Sequence, residues 1–252
     1  MCVLAFAWRA HPRWPLVFAG NRDELHNRPA APLARWEKHG HVIAGRDLES
    51  GGTWLGVSER RRFAVITNLR GHGGAEPERT SRGALVAGLL SGELLAELGA
   101  AELAEFNPFN LILIDQDQAW FLSNQPEPVR SRLPPGIYGL SNGALDEPWP
   151  KTLQLKAQLL DWVVNEAEHP ETLLDALRDE TLPDVGIVSA LPSDAPQEPR
   201  ASPIFIRHPV YGTRCSTVVA IDDQGAGVIV ERRYDEAGLP KGQTRMPFVW
   251  AI

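Results

Sequence analysis

Cys2 is the residue with the most chemistry to offer. An initiator methionine is usually removed ahead of a small residue, which would leave a thiol and a free α-amine together on Cys2. An amine with an ordinary pKa of about 7.7–8.0 can act as the base for a thiol whose own pKa is about 8.5. The alternative reading is a small apolar residue that opens an edge strand. Asn21-Arg22-Asp23-Glu24 closes the second apolar run of the chain. If the first two runs pair as a hairpin, this segment lies beside Cys2. There a cation favours the thiolate and a carboxylate holds the amine or ammonium. Otherwise it is a charged surface turn.

Two asparagines end apolar runs, Asn68 in VITNLRG and Asn142 in YGLSNG. Amides at such points can stabilise an oxyanion, although asparagine also makes turns there. Arg214 enters the otherwise apolar YGTRCSTVV, and a guanidinium taken from water needs a carboxylate or thiolate partner. His39 and His41 have metal-ligand character but no evident third ligand. Gly71-His72-Gly73-Gly74 lacks the Lys-Ser/Thr of a phosphate loop, and Arg60-Arg61-Arg62 reads as a solvated strand edge.

The elements that must position these residues are mixed. Val3 to Trp8 and Leu16 to Ala19 are short apolar runs, followed by Val42–Ala44, Trp54–Val57 and Phe63–Thr67. With no helical period between them, they predict antiparallel pairing. From Ser81 the leucines at 85, 89, 90, 94, 95 and 98 recur at helical spacing. Phe109–Ile114 with Ala119–Leu122 predicts a hairpin, and Ile137–Leu140 another strand. Lys151–Glu168 reads as a helix buried on two sides, and Glu171–Arg178 as a further helical segment. Residues 189–203 carry four prolines and read as a loop or lid. Thr217–Ile221 and Val228–Val230 close the chain as a hairpin. The order β, α, β, α, β predicts a single α+β domain over residues 1–252.

Composition narrows the function. The chain has 252 residues, 43% hydrophobic and 23% charged, which is ordinary globular usage. Twenty-five basic residues against 32 acidic ones leave a net charge of −7, which argues against nucleic acid or an anionic membrane surface as partner. No window predicts a membrane span. Cys2 and Cys215 are the two cysteines, so neither a disulfide framework nor a four-cysteine zinc site can form. The apolar start stops at Arg9 without a basic lead-in, so the expectation is free thiols in the cytoplasm rather than a secretory signal.

Taken together, MCVLAFAW, AGNRDE at 19–24, SGGTWLGV at 51–58, ITNLRG at 66–71, YGLSN at 138–142 and YGTRCSTVV at 211–219 resemble the NRDE family, also named the transport and Golgi organisation 2 family. That family is similar to the N-terminal nucleophile hydrolases of the choloylglycine hydrolase and penicillin acylase branch. The resemblance implies a four-layer α-β-β-α sandwich with two antiparallel sheets between helices. It implies Cys2 as nucleophile, Asp23 holding its amine, Asn68 and Asn142 positioning the amine or the oxyanion, and Arg214 as a charge near the thiol. Asn21, Arg22 and Arg70, within the same motifs, are taken as substrate-binding. The related hydrolases place an arginine ahead of the asparagine and aspartate, whereas Arg22 stands between them, facing opposite to its strand neighbours. The implied activity is hydrolysis of an amide, ester or thioester without metal or cofactor. The rival is a carrier of haem or acyl-lipid, with any haem held non-covalently because Cys-x-x-Cys-His is absent.

Overall fold

The structure, a computed structural model, describes residues 2–193 and 201–250. Chain order begins with β1 (Cys2–Trp8), β2 (Leu16–Leu25), β3 (Ala30–Arg35), β4 (Val42–Asp47), β5 (Leu55–Ser58) and β6 (Arg62–Asn68). Helices α1 (Arg82–Ser91) and α2 (Ala100–Ala104) follow, then β7 (Phe109–Asp115), β8 (Gln118–Ser123), β9 (Val129–Leu133) and β10 (Gly136–Leu140). Next come α3 (Pro150–Asp161) and α4 (Leu173–Ala176), and the last strands are β11 (Tyr211–Ile221), β12 (Ala226–Tyr234) and β13 (Pro240–Val249).

These elements divide into two compact units. The first joins both ends of the chain, Met1–Asn27 with Pro135–Trp250, and the second is Arg28–Pro134. In the first unit six strands form one antiparallel sheet in the order β10-β1-β2-β11-β12-β13. The expected hairpin of the first two runs is present, pairing Cys2 with Arg22 and Trp8 with Leu16. Val3, Ala5, Ala7, Val17 and Ala19 form one face and pack against Leu155 and Leu159 of α3. Small side chains on the sheet let the helix come close. Leu4, Phe6, Leu16 and Phe18, on the other face, are also buried, and a strand covered on both sides reads as a continuous apolar run.

The second unit is a seven-stranded antiparallel meander, β3 to β9 in chain order. Leu85, Leu89 and Leu90 of α1 pack with Val42, Ala44, Ala64 and Leu111. Ser81 caps α1 by accepting from the Ala84 N–H, as its position before the leucine period implies. The helix ends earlier than the leucine spacing suggests. Gly92 adopts a left-handed φ of 84° and stops it, so Leu94, Leu95 and Leu98 lie beyond.

Two further expectations need correction. The helix after Pro150 runs to Asp161 and then widens into a π turn, Trp162–Glu166. It is buried on one side only, because Leu160 and Val164 are exposed at 50% and 68%. The segment after Pro170 is a 3-10 turn followed by the four-residue α4. Of the expected loop 189–203, residues 194–200 lie outside the described residues. Among the described residues no helix is long and apolar enough to cross a membrane.

Candidate active site

Cys2 is the first residue of β1, fixed on both sides by its neighbours. Its backbone nitrogen donates to Asn142 Oδ1 at 3.2 Å, and its carbonyl accepts from Ser141 Oγ at 2.7 Å. Ser141 and Asn142 follow directly on β10, which pairs with β1 from Leu4 onward. The edge strand thus delivers this pair to the backbone of Cys2.

The thiol responds to several influences. Burial is the largest and pushes its pKa up. The charge of the chain's amino terminus opposes this, the Asp23 carboxylate adds to it, and the Asp23 N–H bonded to the sulfur and the Arg22 guanidinium oppose it. Burial wins, so the resting group is a thiol that needs a base to react.

Strand alternation sorts the NRDE segment between two faces. Arg22 pairs with Cys2 on one side and Cys215 on the other, so these three side chains share a face. Arg22 is 6% exposed, with Glu24 3.7 Å from its Nη2. Asn21 and Asp23 project to the opposite face. Asn21 Nδ2 donates to the carbonyls of Leu177 and Ile204, both at 2.9 Å, and Oδ1 accepts from Ser216 Oγ at 2.6 Å. Both ends of the Asn21 amide are therefore engaged within the fold. Asp23 Oδ1 accepts from Thr213 Oγ1 at 2.6 Å, and the same hydroxyl accepts from the Ile206 N–H. Tyr211 closes the corner by donating to the Asp23 carbonyl.

Arg214 sits at a bulge, where the β2–β11 register shifts between Thr213 and Cys215. It donates from Nη1 to the Leu25 carbonyl at 2.6 Å. Burial and then the neighbouring Arg22 guanidinium lower its proton affinity. The first unit thus brings Cys2, Arg22, Asp23, Asn142 and Arg214 to one end of β1, β2 and β11. Asn68 ends β6 and the buried Arg70 follows it; both belong to the second unit.

Several neighbours were not singled out by sequence. Ser141 and Thr213 stood inside quoted motifs beside Asn142 and Arg214. Glu231, 2% exposed on β12, accepts the Cys215 S–H, and in VIVERRY it carries no sign of being buried. Among the described residues no group of His, Cys, Asp or Glu is placed to hold a metal ion.

The first unit also holds a small open pocket of about 10 Å³, room for roughly one water. Trp149, Ile187, Val188 and Ala201 supply apolar lining, while Lys151 and Ser202 are joined by an Nζ–Oγ hydrogen bond of 3.2 Å. Leu182, Val185 and Leu191, close by in sequence, are about half exposed.

The family model described as Transport and Golgi organisation 2 matches residues 1–236. The chain is 32% identical over 261 residues to the Transport and Golgi organization 2 homolog of Mus musculus, covering 92% of each. It is 31% identical over 273 residues to the Transport and Golgi organization protein 2 homolog of Homo sapiens, covering 97% of each. Among solved structures, two variants of conjugated bile acid hydrolase from Clostridium perfringens match with TM-scores of 0.51 and 0.50. Each is 8% identical, over 98% of this chain and 92% of that one. At such identity the likeness is one of fold, and the α+β fold of the N-terminal nucleophile hydrolases is the fold of this chain.

Proposed function

We propose that this chain, which belongs to the Transport and Golgi organisation 2 family, is a cysteine hydrolase that cleaves an amide, ester or thioester through an acyl-Cys2 intermediate. The observation that carries the reading is the joint setting of Cys2: its nitrogen on Asn142, its sulfur on the Asp23 N–H, and Arg22 opposite it. Removal of Met1 converts that nitrogen from an amide into a basic amine, still held by Asn142 Oδ1.

The steps then balance without a further reagent. The amine takes the S–H proton as Sγ bonds to the substrate carbonyl carbon, and the carbonyl oxygen receives the electron pair. When the tetrahedral adduct collapses, the bond to the leaving nitrogen, oxygen or sulfur breaks, and the ammonium returns the proton to that atom. Water attacks the acyl-thioester by the same proton path, releasing the acid and restoring the thiol. Arg22 supplies positive charge near the sulfur, favouring the thiolate as it forms, and Arg214 stands beside Arg22. Asp23 braces the amine's surroundings through Thr213.

Intact mass and N-terminal sequencing of purified protein come first. Met1 retained on essentially every molecule would remove the amine-assisted mechanism. Incubation with a panel of acyl esters, amides and thioesters should then give an acyl-sized mass increase on Cys2 and a kinetic burst.

The half-exposed Leu182, Val185, Val188 and Leu191 favour a second reading: a carrier of acyl-lipid or haem on the same fold. An apolar lining suits an acyl cargo as well as an acyl substrate. Saturable binding of acyl-CoA or haem with no acyl-enzyme would favour the carrier.

A further inference from the structure

We propose that Glu231 and Cys215 are positioning residues that hold the Arg22 guanidinium in place beside Cys2. The inference rests on the reading of Cys2 as the reactive thiol.

Cys2, Arg22, Cys215 and Arg233 stand directly opposite one another along β1, β2, β11 and β12, so they form one cross-strand row on one face. Glu231, two residues from Arg233, shares that face. Arg22, Cys215 and Glu231 are 6%, 4% and 2% exposed. The reaction uses the first of these and leaves a buried thiol and a buried carboxylate without a role. A carboxylate is not taken from water unless other groups compensate it. Glu231 is tied to the row by the S–H that Cys215 donates, and Cys215 in turn faces Arg22, whose charge bears on both thiols. Along its own strand, Arg22 also forms an ion pair with Glu24 at 3.7 Å. The row across the sheet adds to that pair in placing the guanidinium.

Other charges also bear on this face. Asp23 acts on Cys2 from β2, Arg214 bears on Arg22 from β11, and Glu24 and Glu236 act on Arg214. Tyr138 of β10 stacks on Phe6, further along β1. Lys156 of α3 pairs with Asp146, and α3 packs on the opposite face of β1. The S–H donated to Glu231 means that Cys215 stays protonated and passes no charge of its own to Arg22.

The test is the pH dependence of iodoacetamide alkylation at Cys2, read by peptide mass spectrometry on the folded protein. Arg22→Gln should move the midpoint up by about one unit, the low end of what a nearby opposite charge does. Glu231→Gln should move it in the same direction by roughly half as much, because the guanidinium loses its anchor, and Glu231→Asp should restore most of it. A Cys2 midpoint in Glu231→Gln equal to wild type, or lower, overturns the proposal. So does an unshifted Arg22→Gln. If Glu231→Gln fails to fold, Cys215→Ala, which removes the S–H but neither charge, must give a smaller upward shift, and none would overturn it. Acyl-enzyme formation is measured separately. The expected shifts without any acyl-enzyme would sink the hydrolase and leave this inference standing; the reverse would sink this one alone.

Discussion

Asn21→Ala isolates what the helix-facing half of the NRDE segment does. The side chain is 3% exposed and makes three hydrogen bonds, to the carbonyls of Leu177 and Ile204 and from Ser216 Oγ. The Ser216 hydroxyl also receives a bond from Tyr234 at 3.1 Å, and it can rotate to another acceptor. The two carbonyls have no such freedom. Leaving each without its donor costs about 1–3 kcal/mol, so the substitution should destabilise by about 2–6 kcal/mol. Against a total stability of about 5–15 kcal/mol for a typical domain, that is a large fraction. Asn21→Asp should be worse than alanine, since it turns two donors into a charged acceptor facing two carbonyls. Urea unfolding at neutral pH measures the loss. Limited proteolysis adds a local readout: Leu177 immediately precedes residues 178–193, which hold no helix or strand, and cleavage within them should accelerate in the folded variant. An Asn21→Ala protein within about 0.5 kcal/mol of wild type, with an unchanged cleavage pattern, would refute the clamp.

Cys2 should alkylate faster than Cys215 at neutral pH, because Cys215 is 4% exposed and burial and Glu231 hold its pKa well above the ordinary value; peptide mapping after limiting iodoacetamide that found equal labelling would contradict this. The same raised pKa has a stability consequence. The unfolded thiol ionises near about pH 8.5 while the folded one keeps its proton, so stability should be full below that pH and fall above it. Cys215→Ser should flatten this alkaline limb in a series of urea midpoints, and an unchanged limb would assign it elsewhere. Cys2→Ala and Cys2→Ser should each cost only about 1 kcal/mol or so in stability yet abolish acyl-enzyme formation, whereas wild-type turnover in Cys2→Ala would end the nucleophile assignment. Gly52→Ala should destabilise severely, above about 2 kcal/mol by thermal melt, because a Cβ there runs into the backbone of Gly83 and Ala84, which cannot swing aside as a side chain can.

The pairs and helices with local signatures could be read directly. The β1–β2 and β7–β8 hairpins follow from neighbouring apolar runs, and α1 and α3 from Ser81 and Pro150 at their starts. Strands β3, β9 and β13 gave no such sign. AAPLAR, VRSRL and PKGQTRMPFV are polar or proline-bearing, as befits sheet edges that must not recruit further strands. Period-two alternation alone says that Arg22 points away from Asn21 and Asp23. Which of the two faces carries Cys2 depends on register with β1 and with β11, whose Cys215 lies 193 residues further along the chain than Arg22. Cys2, Asn142 and Arg214 were legible as candidates because a thiol, a strand-end amide and a guanidinium in an apolar run are unusual by type and place. The partnership of Arg22 with Cys215, the buried state of Glu231 and the clamping role of Asn21 were decided only by the tertiary structure, because pairing between distant strands leaves no mark in the residues on either side of it.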